Sequence, residues 1–596
     1  MAIRANKLLS ELNIGLQTLS EILKELGHDE EYITPSTKLS DGEAEFVRAL
    51  FSDSDNLFNF IGKTKKRSDS DSVSPLKILG KIDLDEINRP RSILKRDVSK
   101  PPFGLFAESP IKYSEDKNYW IEELAVLNPT GEVTVIGTGN FVESEGLPLY
   151  SVLIGTNGVG KSTLMKELVD FFIDLHACLQ EDKQKHPIMK TGQLRGVKYH
   201  IDGVRCEVIR WEKSYIAKIN GMLRKLSDLR LPSMVACHFG AFEKFPTQKA
   251  NGATLTRYDV PYYKYVGAHV NGSMISSPAI AFRLLFALNE RMNECRRQNI
   301  RAILDFIGYD HRLSLQYSFV AKSKKNGAVR ESIAQRVEKD REYVKLSKQE
   351  RNAQVAQLYS YYKTKTASGK TQYSYDVDFD NDNEGDGASD ELNTIYKLRQ
   401  YDLVNSPNVL FYKQGAEVSS DGLSSGEFAM LSTVLSVTAA ANAPHTLIML
   451  DEPELSLHPN WQMTLIDNLD MALKGQVCHL LIATHSHMVV SDLPMKRSSV
   501  TQLEKDEKGD LKATMIADST YGWSAEEVLL KVFKTATDRN RYFGERIGKL
   551  LEQMGNNTIS PKDVASELKD LQEISNHLSD VDPMKVILNT IVESYK

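Results

Sequence analysis

The sequence predicts an α/β fold, with a small all-α domain before it and a helical region after it. Three observations carry that reading. A short apolar run, Ser151–Ile154, breaks into a glycine-rich loop at 155–163 and continues as an apolar-striped helical segment. A second apolar run, Thr446–Leu450, ends on the acid pair Asp451-Glu452. Apolar residues recur at helical spacing at both ends of the chain instead of alternating as in strands.

Taken in order, residues 4–27 carry two stripes, Leu8, Leu9 and Leu12, then Leu16, Leu19, Ile22, Leu23 and Leu26, with Gly27 placed as a C-cap. A third stripe, Phe46, Val47, Leu50 and Phe51, follows Ser40-Asp41-Gly42-Glu43, whose Ser and Glu have capping-box spacing. Residues 1–52 are therefore expected as a small helical domain. It resembles the small helical N-terminal domain of bacterial translation initiation factor two. A docking or dimerisation knob and a nucleic-acid-contacting module both remain open for it. Residues 53–107 read as a linker, with a basic run at Lys63, Lys65, Lys66 and Arg67, then SDSDSVSP, and later Pro101-Pro102. From Tyr119 the pattern turns to strands, YWIEELAVL and EVTVIG, separated by a turn at 129–131.

The composition bounds the partners. Across 596 residues, 41% are hydrophobic and 26% charged, and the net charge of −6 excludes a chain-wide basic coat. Nucleic acid would have to be met by local patches. The five cysteines are scattered with no CxxC pair, against a disulfide scaffold or a zinc ribbon. The N-terminus does not read as a secretory signal. The best membrane candidate, Leu431–Leu450, contains Asn442, Pro444 and His445 and splits better into a helix and a strand. The expectation is a cytoplasmic protein without a membrane segment.

The chemistry sits in ordered motifs. Residues 155–163, GTNGVGKST, fit the phosphate-binding pattern GxxxxGK[ST] between a strand and a helix. Glycines let backbone N–H groups turn inward around phosphates, and the helix N-terminus adds favourable dipole charge. Asn157, Gly158, Gly160, Lys161, Ser162 and Thr163 are the candidate nucleotide contacts, with Lys161 on the β- and γ-phosphates and Ser162 on Mg2+. Asp451 is the second candidate Mg2+ ligand, and Glu452 the candidate base that orients and deprotonates the attacking water. Leu423-Ser424-Ser425-Gly426-Glu427 precedes an apolar helix, Ser456-Leu457-His458-Pro459 follows the acid pair, and Ala483-Thr484-His485-Ser486 follows the apolar strand CHLLI.

Together these motifs resemble the ATP-binding-cassette superfamily in its SMC-like branch. They match its Walker A and B motifs, a signature loop of LSSGE form, a D-loop and a switch histidine, His485. The sequence is similar to stand-alone ATPases of bacterial genome defence: the ATPase subunits of Septu and retron systems and the overcoming-lysogenisation-defect ATPases. Weaker supporting patterns are Phe242-Glu243-Lys244-Phe245-Pro246, Tyr263-Lys264-Tyr265-Val266-Gly267 and Gly522-Trp523-Ser524-Ala525-Glu526-Glu527. The resemblance implies an ABC-type P-loop ATPase head over 108–500 that hydrolyses ATP with Mg2+. It implies a helical insert lobe at 246–420 and a helical C-terminal region at 501–596. It further implies two heads, in a homodimer or higher even oligomer, sandwiching ATP so that Ser424, Ser425 and Gly426 complete the partner's site. The implied role is antiphage defence through a separate effector, an HNH-type nuclease, with a retron reverse transcriptase and its msDNA or another nucleic acid as further candidate partners.

A DNA-repair ATPase that clamps DNA is the alternative, and a transporter ATPase subunit a weaker one. The pattern departs from the superfamily at the Q-loop. No strand-Gln pair follows the Walker helix, VACHFGAFEKF (235–245) stands in its place, and no metal contact is assigned there. Residues 366–391, rich in acids, read as a disordered loop in preference to a calcium loop, and 330–363 as a short helical hairpin. The segment beyond 490 is too short for the Toprim nuclease of the lysogenisation-defect proteins and reads as helices, so the chain is expected to hold no nuclease of its own.

Overall fold

The computed structural model describes residues within 3–48, 111–179, 192–247, 257–275, 294–320, 326–533, 541–577 and 583–594, apart from single positions and short runs inside these blocks. The linker expected at 53–107, together with Phe242, Glu243 and Ser456, lies outside the described residues.

A seven-stranded sheet organises the chain. Its order is Tyr263–Tyr265, Ser233–His238, Thr446–Asp451, Cys478–Ala483, Leu149–Gly155, Ser498–Lys505 and Leu511–Met515, parallel except for the last pair. Parallel strands covered on both faces read as unbroken apolar runs, as LYSVLI, TLIML and CHLLIA do. Period-two alternation sorts their side chains between two cores. Val152, Ile154, Ile448, Leu450, Leu480 and Ile482 enter one core. Leu153, Leu447, Met449, Leu481, Met234 and Ala236 enter the other, against the helix Lys161–Leu179. The same parity puts Asp451 and His238 on the face of that helix.

A six-stranded antiparallel sheet closes over the second core, in the order Val133–Gly137, Tyr119–Leu127, Leu194–Ile201, Val204–Trp211, Ser214–Ile219 and Met222–Arg224. Its outer face receives the N-terminal domain. Ala5 and Leu8 of the helix Ala5–Leu12, with Leu19, Leu23, Leu39, Ala44 and Val47, share a core with Ala125, Ile209 and Ile216. Of the stripes seen in the sequence, Leu8, Leu19, Leu23 and Val47 are thus buried against the head.

Three expectations on organisation meet differences. The lobe within 246–420 is not helical throughout. It contains a four-stranded antiparallel sheet, Tyr373–Asp378, Arg312–Tyr317, Asn408–Lys413 and Ala416–Ser419, beside the paired helices Asn326–Lys339 and Lys348–Ala367. Residues 366–391 are not a disordered loop over the described part. Tyr373, Tyr375 and Val377 point inward from a strand while Ser374 and Asp376 face solvent, and a helix runs Asp386–Gln400. An apolar face carried on alternate residues was masked by the acids between them. The region 501–596 begins as sheet: Ser498–Lys505 hydrogen-bonds beside the P-loop strand and turns back as Leu511–Met515. Leu511–Met515 ends the sheet, and its largely exposed residues are polar and weakly patterned. Only beyond it come the helices Arg541–Gly555, Pro561–His577 and Pro583–Ser594, with a small core of their own. The Asp580-Val581-Asp582 triplet between the last two lies outside the described residues. No helix among the described residues is long and apolar enough to cross a membrane.

Candidate nucleotide site

The strand Leu149–Gly155 delivers the glycine loop to the C-terminal edge of the sheet, and the helix Lys161–Leu179 starts directly after it. Gly155 passes so close to the Leu503 carbonyl that a Cβ would collide with it, and Gly160 has φ +115. Both positions call for glycine. Asn157, Gly158 and Thr163 are exposed, whereas Lys161 is 5% exposed.

Lys161 Nζ donates to Gly155 O at 2.8 Å and lies 2.8 Å from His485 Nε2. Burial lowers the Lys161 ammonium to about 8, against the opposing pull of Asp451, Glu452 and Glu454. Burial, together with the Lys161 cation, also holds His485 below the usual imidazole range. An unprotonated His485 accepting from Lys161 fits both shifts. Two candidate phosphate contacts thus satisfy each other.

The P-loop and acid-pair strands are not neighbours, since Cys478–Ala483 runs between them. Ser162 Oγ nevertheless donates to Asp451 Oδ1 at 3.0 Å. Donors at roughly 2.1 Å on an octahedral ion stand about 3 Å apart, so this hydroxyl–carboxylate pair fits two adjacent ligands of Mg2+. Asp451 is 3% exposed, and burial raises its carboxyl despite the Ser162 hydrogen bond and nearby His238. A buried carboxylate short of positive charge suits a divalent cation.

Glu452 has φ +51, a left-handed conformation that non-glycine residues rarely hold. Its N–H is anchored to Ala483 O at 2.8 Å, and its Oε1 lies 3.9 Å from His485 Nε2. This backbone twist, at about 1–3 kcal/mol, turns a half-buried carboxylate back toward Lys161 and His485.

Two further groups were not singled out from the sequence. Glu454, 9% exposed, accepts from His485 N at 2.9 Å and from the Thr484 side chain, and burial raises its carboxyl. It ties the acid-pair strand to the switch loop, and its only sequence signal was a second Glu in DEPE. His238, at the end of Ser233–His238, lies opposite Asp451 in the parallel register. The stretch 235–245 had been marked, but without a residue. On the far side of the switch loop, Ser486 Oγ donates to Gln462 Oε1 at 2.7 Å, joining it to the helix Pro459–Met463.

Ser424 caps the helix Ser425–Ala440 in a capping box with Glu427. Burial opposes the ionised Glu427, but hydrogen bonds from Ser424, Lys413 and Tyr309 keep its carboxyl below the usual range. Ser424 and Ser425 are exposed and Gly426 is half-buried. The polar contacts around this cap run among Ser424, Glu427, Lys413 and Tyr309, and not to the loop 155–163. The structure therefore brings Lys161, Ser162, Asp451, Glu452 and His485 together and leaves Ser424–Gly426 facing outward.

Comparison with known proteins adds the following. Residues 317–492 match the family model described as "AAA domain, putative AbiEii toxin, Type IV TA system". That segment includes Ser424–Gly426, Asp451, Glu452 and His485 and begins after the P-loop. No curated protein matches the chain. Among solved structures, the chain is similar to the Smc head bound to the C-winged helix domain of ScpA. That alignment has 11% identity and a TM-score of 0.27, and covers 67% of this chain and 97% of that one. It is also similar to an Smc head domain with an extended coiled coil bound to the C-terminal domain of ScpA derived from Pyrococcus furiosus. There the identity is 12% and the TM-score 0.28, with 67% of this chain and 96% of that one covered.

Proposed function

We propose that this chain is a Mg2+-dependent ATPase whose heads pair around ATP, acting as a nucleotide-gated switch that controls a separate effector in bacterial antiphage defence. The observation that carries the ATPase reading is the meeting of Lys161, Ser162, Asp451, Glu452 and His485 at one edge of the sheet.

Lys161 exchanges its hydrogen bonds to Gly155 O and His485 for the β- and γ-phosphates. His485, released from Lys161, turns its ring to the γ-phosphate. Glu452 orients a water and takes its proton as the oxygen attacks phosphorus, and ADP leaves. Ser162 and Asp451 would hold Mg2+, which would supply positive charge against the phosphates. The outward-facing N-terminus of Ser425–Ala440 supplies open N–H groups and dipole to an ATP on a second head.

The defence role is supported by the resemblance to defence ATPases and by the toxin named in the matched family description. Its effector is read as an HNH-type nuclease, with a retron reverse transcriptase and msDNA as further partners.

The test is steady-state ATP turnover with Mg2+ beside nucleotide affinity. Lys161→Ala should lose nucleotide binding. Glu452→Gln should bind ATP yet turn over about 10²–10³-fold more slowly, as for loss of a catalytic base. Unchanged turnover in Glu452→Gln would refute the assignment.

A further inference from the structure

We propose that Gln462 is a positioning residue for hydrolysis: its side-chain amide joins the loop leaving Glu452 to the loop carrying His485 and holds the two groups in one frame. The inference rests on the ATPase reading above.

The fold supplies two loops at the same edge of the sheet. Thr446–Asp451 and Cys478–Ala483 are parallel neighbours with Asp451 in register with Ala483, so the chains that leave them start side by side. The first runs through Glu452 into the short helix Pro459–Met463, and the second through His485 into His487–Ser491. The ladder between them ends at Glu452 N, which donates to Ala483 O. Beyond that point side chains must do the joining.

Gln462 reaches both loops. Its Nε2 donates to Leu457 O at 3.1 Å, and its Oε1 accepts from Ser486 Oγ at 2.7 Å. The partners fix the orientation of the amide. Leu457 O is a carbonyl and can only accept, so the NH2 end faces it and the amide oxygen is left for the hydroxyl. Ser486 Oγ, having given its hydrogen to Gln462, accepts from Val489 N at 3.4 Å and caps the helix behind the switch loop. Leu457 is 6% and Ser486 8% exposed, so water competes little for these bonds.

The hydrogen bonds then form a closed circuit. Leu455 N donates to Glu452 O at 3.2 Å, and Leu457 N to Glu454 O at 3.0 Å. Leu457 O connects through Gln462 to Ser486, the residue after His485. His485 N returns to Glu454 Oε1 at 2.9 Å. Glu454 thus holds the backbone of His485, and Gln462 holds the residue that follows it. The two anchors bracket the imidazole, whose Nε2 lies 3.9 Å from Glu452 Oε1. Opening the circuit at Gln462 frees the two loops from each other and with them the spacing of base and histidine.

The experiment compares full-length wild type with Gln462→Leu, Gln462→Glu, Ser486→Ala and the Gln462→Leu/Ser486→Ala double variant. It measures kcat and KM for ATP hydrolysis beside affinity for a non-hydrolysable ATP analogue. Leu removes both arms at similar size. Glu keeps an acceptor for Ser486 but turns a carboxylate oxygen onto Leu457 O. The arms act in series, so either substitution opens the circuit. In both, kcat should fall about 10–100-fold, the scale of a small misplacement at a reacting group. Analogue affinity should stay within about twofold, because Gln462 is not among the candidate phosphate contacts. In the Ser486→Ala background, Leu should cost no more than about twofold further, the non-additivity of groups in one network. Should Leu fail to fold, Gln462→Met makes the same deletion with an unbranched chain. Unchanged kcat in the deletion variant would overturn the proposal. So would an equal loss of kcat and analogue affinity, or full additivity with Ser486→Ala, either of which would mark Gln462 as packing alone. Wild-type protein without Lys161-dependent turnover would instead overturn the ATPase reading, and this inference with it.

Discussion

Nucleotide binding should take up a proton at Lys161. In the free chain burial holds this ammonium at about 8. The distance from an ordinary lysine, at 10.5, corresponds to about 3 kcal/mol favouring the neutral amine. Triphosphate at the P-loop would restore negative charge beside the ammonium and raise the value back toward that of an ordinary lysine. The bound state therefore holds more protons than the free state between pH 8 and 10, so affinity falls as pH rises through that window. Below pH 7 both states are protonated and the effect vanishes. With a free value of 8, binding at pH 8 takes up about half a proton, and affinity drops about tenfold from pH 7 to pH 9. Titration calorimetry of a non-hydrolysable ATP analogue, in buffers of differing ionisation enthalpy, reads the uptake directly. Lys161→Arg stays charged throughout and should flatten the profile where it binds. Buffer-independent heats at pH 8, or a flat wild-type affinity from pH 7 to 9, would refute the buried-lysine reasoning.

The left-handed backbone at Glu452 gives a signature separable from catalysis. Glu452→Gly should be as inactive as Glu452→Ala but about 1 kcal/mol more stable, read from denaturant midpoints, since glycine accepts φ +51 without penalty. Glu454→Ala removes the acceptor for His485 N and Thr484, so it should destabilise by about 1–3 kcal/mol and slow turnover at saturating ATP. Glu454→Gln should recover much of both, and an indifferent Ala variant would remove Glu454 from the switch. Deleting residues 1–107 should keep Lys161-dependent nucleotide binding while lowering stability by about 2 kcal/mol or more, because Ile209 and Ile216 lose their cover. A truncation as stable as the full chain would show that this contact contributes nothing.

The nucleotide loop was legible because its chemistry is local: nine consecutive residues fix the turn, the helix start and the lysine. Asp451 and Glu452 were legible for the same reason, as the end of an apolar strand. His238 was not, since its partner lies more than two hundred residues along the chain, and only the parallel register sets the two side by side. Glu454 was visible as a letter, but its hydrogen bond to His485 N depends on the neighbouring strand. The N-terminal stripes announced helices without saying that their apolar face is completed by Ala125, Ile209 and Ile216 of a distant sheet. The strand Tyr373–Asp378 escaped notice because Asp376 and Asp378, on the solvent side of its alternation, belong to an acid-rich run that reads as loop.

The central claim is that each ATP site is composite, with Lys161, Asp451, Glu452 and His485 from one head and Ser424, Ser425 and Gly426 from another. Mixing two inactive variants tests it most directly. Lys161→Ala removes the phosphate cation. Gly426→Asp places a carboxylate where the partner's γ-phosphate would meet the signature helix. Each homodimer should be inactive. In a mixed dimer one site collects both defects, and the other joins an intact Walker half to an intact signature half. ATP turnover should then reappear on mixing under exchange, up to about half per mixed dimer if the two sites act independently. No recovery despite verified heterodimers, together with full activity of dilute wild-type monomer, would contradict the composite site.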